Sequence, residues 1–252
     1  MTRTVVVTGG TKGIGRGLVE EFVRRGCRVV YCGRSETSIA GAEGVVADVT
    51  RRDEIQKVWD LAVQAHGAVD IWINNAGMSP SRGKLWELDP AAIDATLDLN
   101  LRAVLHGSAL VLAGMLAQGK GALWNMEGLG SNGMIQPGLT TYGATKRALT
   151  YVTDSLAKDL AGTPVTVHHL SPGMVVTDLL THGYADGELA RMGKILNILA
   201  DRVETVTPWL ADRILAGGPN GSRVAWLTRR KAMWRFMTAF RQRDVLASPG
   251  TS

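Results

Sequence analysis

The chain has 252 residues, 45% hydrophobic and 20% charged, with a formal net charge of +5. These values are ordinary for a soluble globular protein and sufficient for one sizeable core, so a single domain is the expectation. Only Cys27 and Cys32 are available, flanking the apolar run Arg28-Val29-Val30-Tyr31, where buried thiols are commoner than a disulfide or a metal site.

In chain order, short β-branched runs alternate with helix-length amphipathic segments. Arg3 runs directly into Thr4-Val5-Val6-Val7 without a leading apolar segment, which predicts cytoplasmic residence, or stromal residence after processing. Strands are expected at 4–7, 29–31, 45–47, 71–73, 122–125, 165–170 and 224–227. Seven strands with helices between them predict an α/β fold with a doubly wound parallel sheet and helices on both faces. The first crossover helix is read at 16–25, with Leu18, Val19 and Phe22 apolar and Gly26 as its stop. The second crossover, between Ser35 and Gly44, is short for a full helix. The domain is expected to span 1–228, followed by a basic amphipathic extension over 229–252.

The turn after the first strand reads Thr8-Gly9-Gly10-Thr11-Lys12-Gly13-Ile14-Gly15. Glycines let backbone approach a pyrophosphate, and the following helix offers unpaired amides and a positive dipole end to the anion. Farther on, Tyr142 and Lys146 stand four residues apart on a predicted helix, which puts both side chains on one face. A tyrosine titrates near ~10, and an adjacent ammonium is expected to draw it toward the working range of a proton donor.

Thr8-Gly9-x-x-x-Gly13-Ile14-Gly15, Asn74-Asn75-Ala76-Gly77, Asn100, Tyr142-x-x-x-Lys146, and Pro172-Gly173 followed by Thr177 together resemble the short-chain dehydrogenase/reductases, in the family's order over residues 4 to 228. The resemblance implies a Rossmann-type domain with Tyr142 as proton donor, Lys146 on the nicotinamide ribose, and Asn100 in a proton relay. It further implies that Asp48, with Val49, meets the adenine, that Asn75, Ala76 and Gly77 line the cofactor, and that Thr177, reached through Pro172, Gly173 and Val175, holds the carboxamide. At the end of the second strand stands Gly33-Arg34-Ser35 instead of an acidic residue. Arg34, with Lys12 in the glycine turn, would pair with a 2′-phosphate, so NADPH/NADP+ is the expected cofactor. The alternative is that both cations are solvated surface groups.

Members of this family place a substrate-orienting serine thirteen residues before the tyrosine, where this chain has Leu129; the nearest hydroxyl is Ser131. Flanking glycines would let a re-routed turn present Ser131 to the substrate carbonyl. The competing reading is that Ser131 caps a turn and activity is lost or weakened. The stretches 125–131, 142–146, 171–180 and 197–206 resemble the chlorophyll b reductases, which reduce the 7-formyl group of chlorophyll b or its derivatives. A bacterial relative whose substrate the sequence leaves open is an equally good reading.

The resemblance implies that the segment 178–205 folds over the substrate; Leu179, Leu180, Met192, Ile195, Leu196 and Leu199 in it, with Met134 and Trp86 on the other wall, would suit a large apolar one. Such spacing also suits a core-facing helix. In 229–243, Met233, Phe236, Met237 and Phe240 recur at helical spacing among Arg229, Arg230, Lys231, Arg235, Arg241 and Arg243. The favoured expectation is that the apolar face packs on the domain or a partner subunit and the cations face water. The competing one is peripheral contact with a membrane interface; nucleic-acid binding has no motif behind it. A homodimer or homotetramer is expected through the helices at 100–115 and 142–160, as the resemblance implies. His106, His168 and His169 read as core or interface residues. The combined expectation is an NADPH-dependent reductase of an apolar aldehyde or ketone. Ketoacyl, steroid or polyketide ketones are alternative substrates, and a non-catalytic NADPH-sensing scaffold is the reading from another class.

Overall fold

The computed structural model describes residues 2–181, 188–239 and 244–246. It is a Rossmann-type fold of alternating strands and helices. In chain order these are β1 (Thr4–Thr8), α1 (Gly13–Arg24), β2 (Arg28–Gly33), β3 (Glu43–Val46), α2 (Arg52–His66), β4 (Ile71–Asn74), α3 (Pro90–Leu97), α4 (Ala103–Gln118), β5 (Gly121–Met126) and α5 (Thr140–Asp159). They continue with β6 (Val165–Ser171), β7 (Met174–Val175), α6 (Asp178–Thr181), α7 (Glu188–Leu199), β8 (Ala200–Asp201), α8 (Val203–Ala216), β9 (Arg223–Ala225) and α9 (Arg229–Met237).

Seven strands form one parallel sheet in the order β3-β2-β1-β4-β5-β6-β9. All seven expected strands are present, and the short second crossover carries no helix. The alternation of side chains along β1 feeds two cores. Val6 points to one face, where Ile55, Val58 and Trp59 of α2 and Val111 and Met115 of α4 pack. Val5 and Val7 point to the other, against Leu18 and Phe22 of α1 and Leu210 and Ile214 of α8. Each such fully buried side chain contributes roughly 1.5–3 kcal/mol. The helical run Pro90–Gln118 is long and apolar enough to span a bilayer by composition, but Ala103, Val111, Leu112 and Met115 are buried in this core.

The chain order reverses between β1 and β4, so the carboxyl ends of these two strands open into a crevice. Two local features were not read from the sequence. One is a π-helical turn, Asp98–Arg102, joining α3 to α4 and carrying Asn100. The other is the small parallel pair β7–β8, in which Met174 faces Ala200 and Val175 faces Asp201.

Within the chain, the apolar face of the C-terminal helix does not pack on the domain over the residues described. In α9, Met233, Trp234, Phe236 and Met237 are exposed, and the residue that packs inward is Arg235. Its guanidinium binds both carboxylate oxygens of Asp201, at 3.0 and 2.8 Å, and the Leu199 carbonyl at 3.0 Å. A paired guanidinium outcompetes an apolar face here because Asp201 is itself buried and must be neutralised. Phe240, Arg241 and Arg243 lie outside the described residues.

Candidate active site

A cleft of about 270 Å³ opens at the β1–β4 switch point. Gly9, Thr11, Lys12, Gly13, Ile14, Gly15, Arg34, Asp48, Val49, Asn75, Ala76, Gly77 and Thr177, all expected at the cofactor, line it together. Ser35, Tyr142, Lys146, Pro172, Gly173 and Val175, also expected at the cofactor, stand outside the lining; Val176 and Asp178 line it. Gly33, from the stretch that sets cofactor choice, is a further wall residue, and so are Cys32, Ala47, Leu99 and Val203, which carry no motif signal. Leu179, expected on the substrate wall, lines this cleft as well.

The glycine turn is held open by sequence. A side chain at Gly15 would collide with the Gly9 carbonyl and come within 2.5 Å of Asn75 Nδ2. Asn75 clamps the turn from the next strand, its Nδ2 donating to the Thr8 and Gly9 carbonyls at 2.8 and 3.1 Å. The backbone amides of Asn75 and Ala76 donate to Thr8 Oγ1 at 3.0 and 3.1 Å. No side chain caps the start of α1, so its first amides remain available to an anion. Arg34 is exposed and forms no salt bridge among the described residues, although its charge acts on the nearby Asp48. Lys12 and Asp178, both exposed, approach to 3.8 Å across the mouth. Burial alone would raise the Asp48 carboxyl, but hydrogen bonds from the Thr50 amide and hydroxyl, helped by Arg34 and Arg51, hold it below its usual range.

Gly77 stands between this cleft and the side chains of Asn100 and Lys146. A Cβ there would stand 3.2 Å from Asn100 Oδ1 and 3.7 Å from Lys146 Nζ. Asn100 is fully buried, with its carboxamide committed to the Met78 amide (2.9 Å) and carbonyl (2.8 Å) and approaching Thr145 Oγ1 at 3.4 Å. Its π-helical turn is the sort of local irregularity that re-aims one side chain at a functional site. Tyr142 and Lys146 lie on the buried face of α5. Gly128 packs directly against the Tyr142 hydroxyl, and a Cβ on it would also come within 3.2 Å of Lys146 Cε.

The electrostatics differ from the sequence expectation that the ammonium draws the tyrosine down. Burial pushes the Tyr142 phenol up to about 12. Burial also drives the Lys146 ammonium down to about 8, although Glu127 opposes that shift. Lys146 Nζ donates to the Met126 carbonyl at 3.1 Å and sits 5.8 Å from the centre of the phenol ring. Desolvation therefore dominates both groups. At neutral pH the phenol holds its proton, and the lysine has the more readily exchanged one.

Ser131 is buried, and its hydroxyl accepts from the Gly128 amide and donates to the Lys146 carbonyl, both at 3.1 Å. These are the bonds of a turn cap that ties the β5–α5 loop to α5. The Ser131 carbonyl in turn accepts from Arg147 and Thr150, each at 3.0 Å. Of the expected substrate residues, Met134 and Trp86 are exposed on the loops after β5 and β4, which are joined by the Gly83 amide and Gly138 carbonyl at 3.2 Å. Leu180 follows Leu179 in α6, and Met192 and Ile195 lie on α7 while Leu196 faces the core.

His168 and His169 are structural. His168 is buried between Ser222 Oγ (2.9 Å) and Thr166 Oγ1 (2.8 Å) and stacks on Trp124. His169 bridges Asp154 and the buried Glu127, which also takes the Arg223 guanidinium at 2.8 and 2.7 Å. Cys27 and Cys32 are both free, and burial pushes the Cys32 thiol up to about 12. Among the described residues no cluster has the makings of a metal site.

A family model for short chain dehydrogenases matches residues 3–186. Over 256 residues the chain is 34% identical to the chloroplastic chlorophyll(ide) b reductase of Oryza sativa subsp. japonica, covering 93% of this chain and 74% of that one. It is 30% identical over 274 residues to a probable chlorophyll(ide) b reductase, also chloroplastic, of Arabidopsis thaliana; the match covers 96% of this chain but 54% of the relative, so the chain spans about half that relative's length. Among solved structures, levodione reductase matches with a TM-score of 0.81 at 20% identity, over 91% of this chain and 98% of that one. The 3-ketoacyl-(acyl-carrier-protein) reductase from Brucella melitensis complexed with NADH matches with a TM-score of 0.78 at 22% identity, over 89% and 96%. At those identities the structural likeness shows the fold alone.

Proposed function

Because the chain belongs to the short-chain dehydrogenase family, we propose that it is an NADPH-dependent carbonyl reductase acting on a large apolar aldehyde or ketone, with the 7-formyl group of chlorophyll b or chlorophyllide b as first candidate. The observation that carries the reading is the buried Tyr142–Lys146 pair, set against Gly128, with Lys146 next to Gly77 on the cleft wall.

A nicotinamide dinucleotide fits the residues present. Gly15 leaves a cradle that any Cβ would fill, and the uncapped start of α1 offers amides to a pyrophosphate. Arg34, without an ion-pair partner among the described residues, favours a 2′-phosphate. When bound, the dinucleotide supplies a hydride to the carbonyl carbon. Tyr142 supplies the proton to the carbonyl oxygen, converting the C=O to CH–OH. A phenol held near 12 remains protonated until the oxygen becomes strongly basic. Lys146, with the lower affinity for its proton, is the group that restores the phenol. Asn100 holds Met78 and fixes the wall next to Lys146. Ser131 holds the turn that brings Gly128 against the phenol.

The exposed apolar side chains of Trp86, Met134 and Leu179 are consistent with a large apolar substrate, and the relatives named for chlorophyll(ide) b reduction support the formyl tetrapyrrole as first candidate. The test is NADPH and NADH oxidation against a panel holding chlorophyllide b, simple aldehydes, ketoacyl thioesters and steroid ketones. The reading expects NADPH to be preferred and the formyl tetrapyrrole to be the fastest substrate. Turnover of ketones alone would move the substrate class. Tight NADPH binding with no oxidation by any carbonyl would favour the non-catalytic reading, to which Leu129 and the committed Ser131 hydroxyl point.

A further inference from the structure

The outward face of α9 has a composition that a solvated helix does not need. At roughly 100° per residue, Arg229, Arg230, Met233, Trp234, Phe236 and Met237 fall within one arc of about 160°. The opposite arc carries Lys231, Ala232 and Arg235. Trp234 is 55% exposed and Met237 65%, whereas Arg235 is 8% exposed. The helix is fixed in this sense by its inner side. Arg235 holds Asp201, Asp201 accepts from Trp226 Nε1 at 2.6 Å, and Lys231 Nζ lies 3.1 Å above the Trp226 ring. Thr228 Oγ1 accepts from the Lys231 amide at 3.2 Å and starts the helix. An apolar side of four large residues is thus held in water by a buried ion pair.

We propose that this face of α9 is a docking surface for an anionic lipid bilayer. The occupant follows from charge. Arg229 and Arg230 share the arc with the four apolar side chains and form no salt bridge among the described residues. No Asp or Glu occurs anywhere between Arg213 and Arg243. Aromatic and thioether side chains inserting at the acyl boundary, with arginines among the headgroup phosphates, match an interfacial helix. A second copy of the chain fits less well, since a symmetric contact would press the same two arginines of each copy into one apolar patch. α9 also packs on α7, part of the segment after Thr177, so docking would set that segment at the membrane surface. Docking itself does not depend on the reductase reading; only the delivery of a lipophilic substrate from the bilayer does.

The experiment is co-sedimentation of the full chain with vesicles of phosphatidylcholine containing phosphatidylglycerol, and with phosphatidylcholine alone. The expected result is binding to the anionic vesicles that weakens in high salt, with a far lower partition onto the neutral ones. Arg229→Gln and Arg230→Gln should each reduce partition about fivefold. Trp234→Ser combined with Phe236→Ser should reduce it by more than about tenfold. Both sets should leave the melting temperature and elution volume unchanged, because the altered side chains are exposed. No anionic-vesicle binding, or binding indifferent to these substitutions, overturns the proposal. So does a wild-type oligomer that the Trp234→Ser, Phe236→Ser variant splits into monomers, which would make the face a subunit interface. Vesicle binding needs no turnover, so this result and that of the carbonyl panel can fail separately.

Discussion

Gly128 and Tyr142 leave no room between them: a methyl group on Gly128 would collide with the phenolic hydroxyl and press on the Lys146 stem. The glycine sets where the proton is held as much as the helix does. Gly128→Ala should therefore displace the hydroxyl by a fraction of an ångström or more and lower kcat by about 100-fold, with cofactor affinity unchanged. Steady-state rates with cofactor titration check this. An alanine variant with wild-type kcat would show that the hydroxyl is not confined.

Ser131 provides the opposite case. Its hydroxyl is engaged by the Gly128 amide and the Lys146 carbonyl, so Ser131→Ala should lower stability by about 1–3 kcal/mol. A loss of that size moves Tm by roughly 2–4 °C per kcal/mol in a chain of this length. kcat should fall by less than about tenfold. A drop of about 100-fold or more at unchanged Tm is what removal of an oxyanion donor produces, and it would return Ser131 to the substrate.

Cofactor preference should follow Arg34. Replacing it with Ser removes a charge-assisted pair with a 2′-phosphate, worth roughly 10-fold to 100-fold in affinity. KM for NADPH should rise by that factor while KM for NADH changes little. Equal effects on the two cofactors would mean that Arg34 is only a solvated cation.

Stability at acid pH should follow His168. Burial, with His169 nearby, lowers it to about 4 from an ordinary 6.5. Its folded-state value is depressed, so the unfolded chain takes up the proton first. The stabilisation is then complete above about pH 6.5 and declines as pH falls toward 4, by about 2 kcal/mol from this group. His168→Gln, which retains a polar partner for Ser222 and Thr166, should flatten that part of the profile in chemical denaturation. An unchanged slope would assign the acid sensitivity elsewhere.

The sheet and the nucleotide cleft were legible because their signals are local. Val5 to Val7 alternate between two cores, and the glycines of 9–15 stand beside their strand and helix in one continuous stretch. Features settled by distant partners were not legible. Arg235 turns inward only because Asp201, 34 residues away, is buried beneath it. The direction of the Tyr142 shift depends on how much water the packed loop at Gly128 excludes, which the spacing of Tyr142 and Lys146 does not encode. Ser131 was found by its hydroxyl, but its partners are backbone groups on α5 and in its own loop, which a one-dimensional pattern does not display. The π-helical turn at Asn100 left no propensity signal, because Asp98-Leu99-Asn100-Leu101-Arg102 reads as ordinary helix.

The central claim is that Tyr142 donates the proton, and single-turnover NADPH oxidation by Tyr142→Phe with the best carbonyl of the panel tests it most directly. Phenylalanine keeps the ring that α5 buries and removes the hydroxyl alone. The account predicts NADPH binding within about twofold of wild type and a chemical step slowed by about 1,000-fold or more. A phenylalanine variant that reduces the carbonyl at a near-normal rate would contradict it.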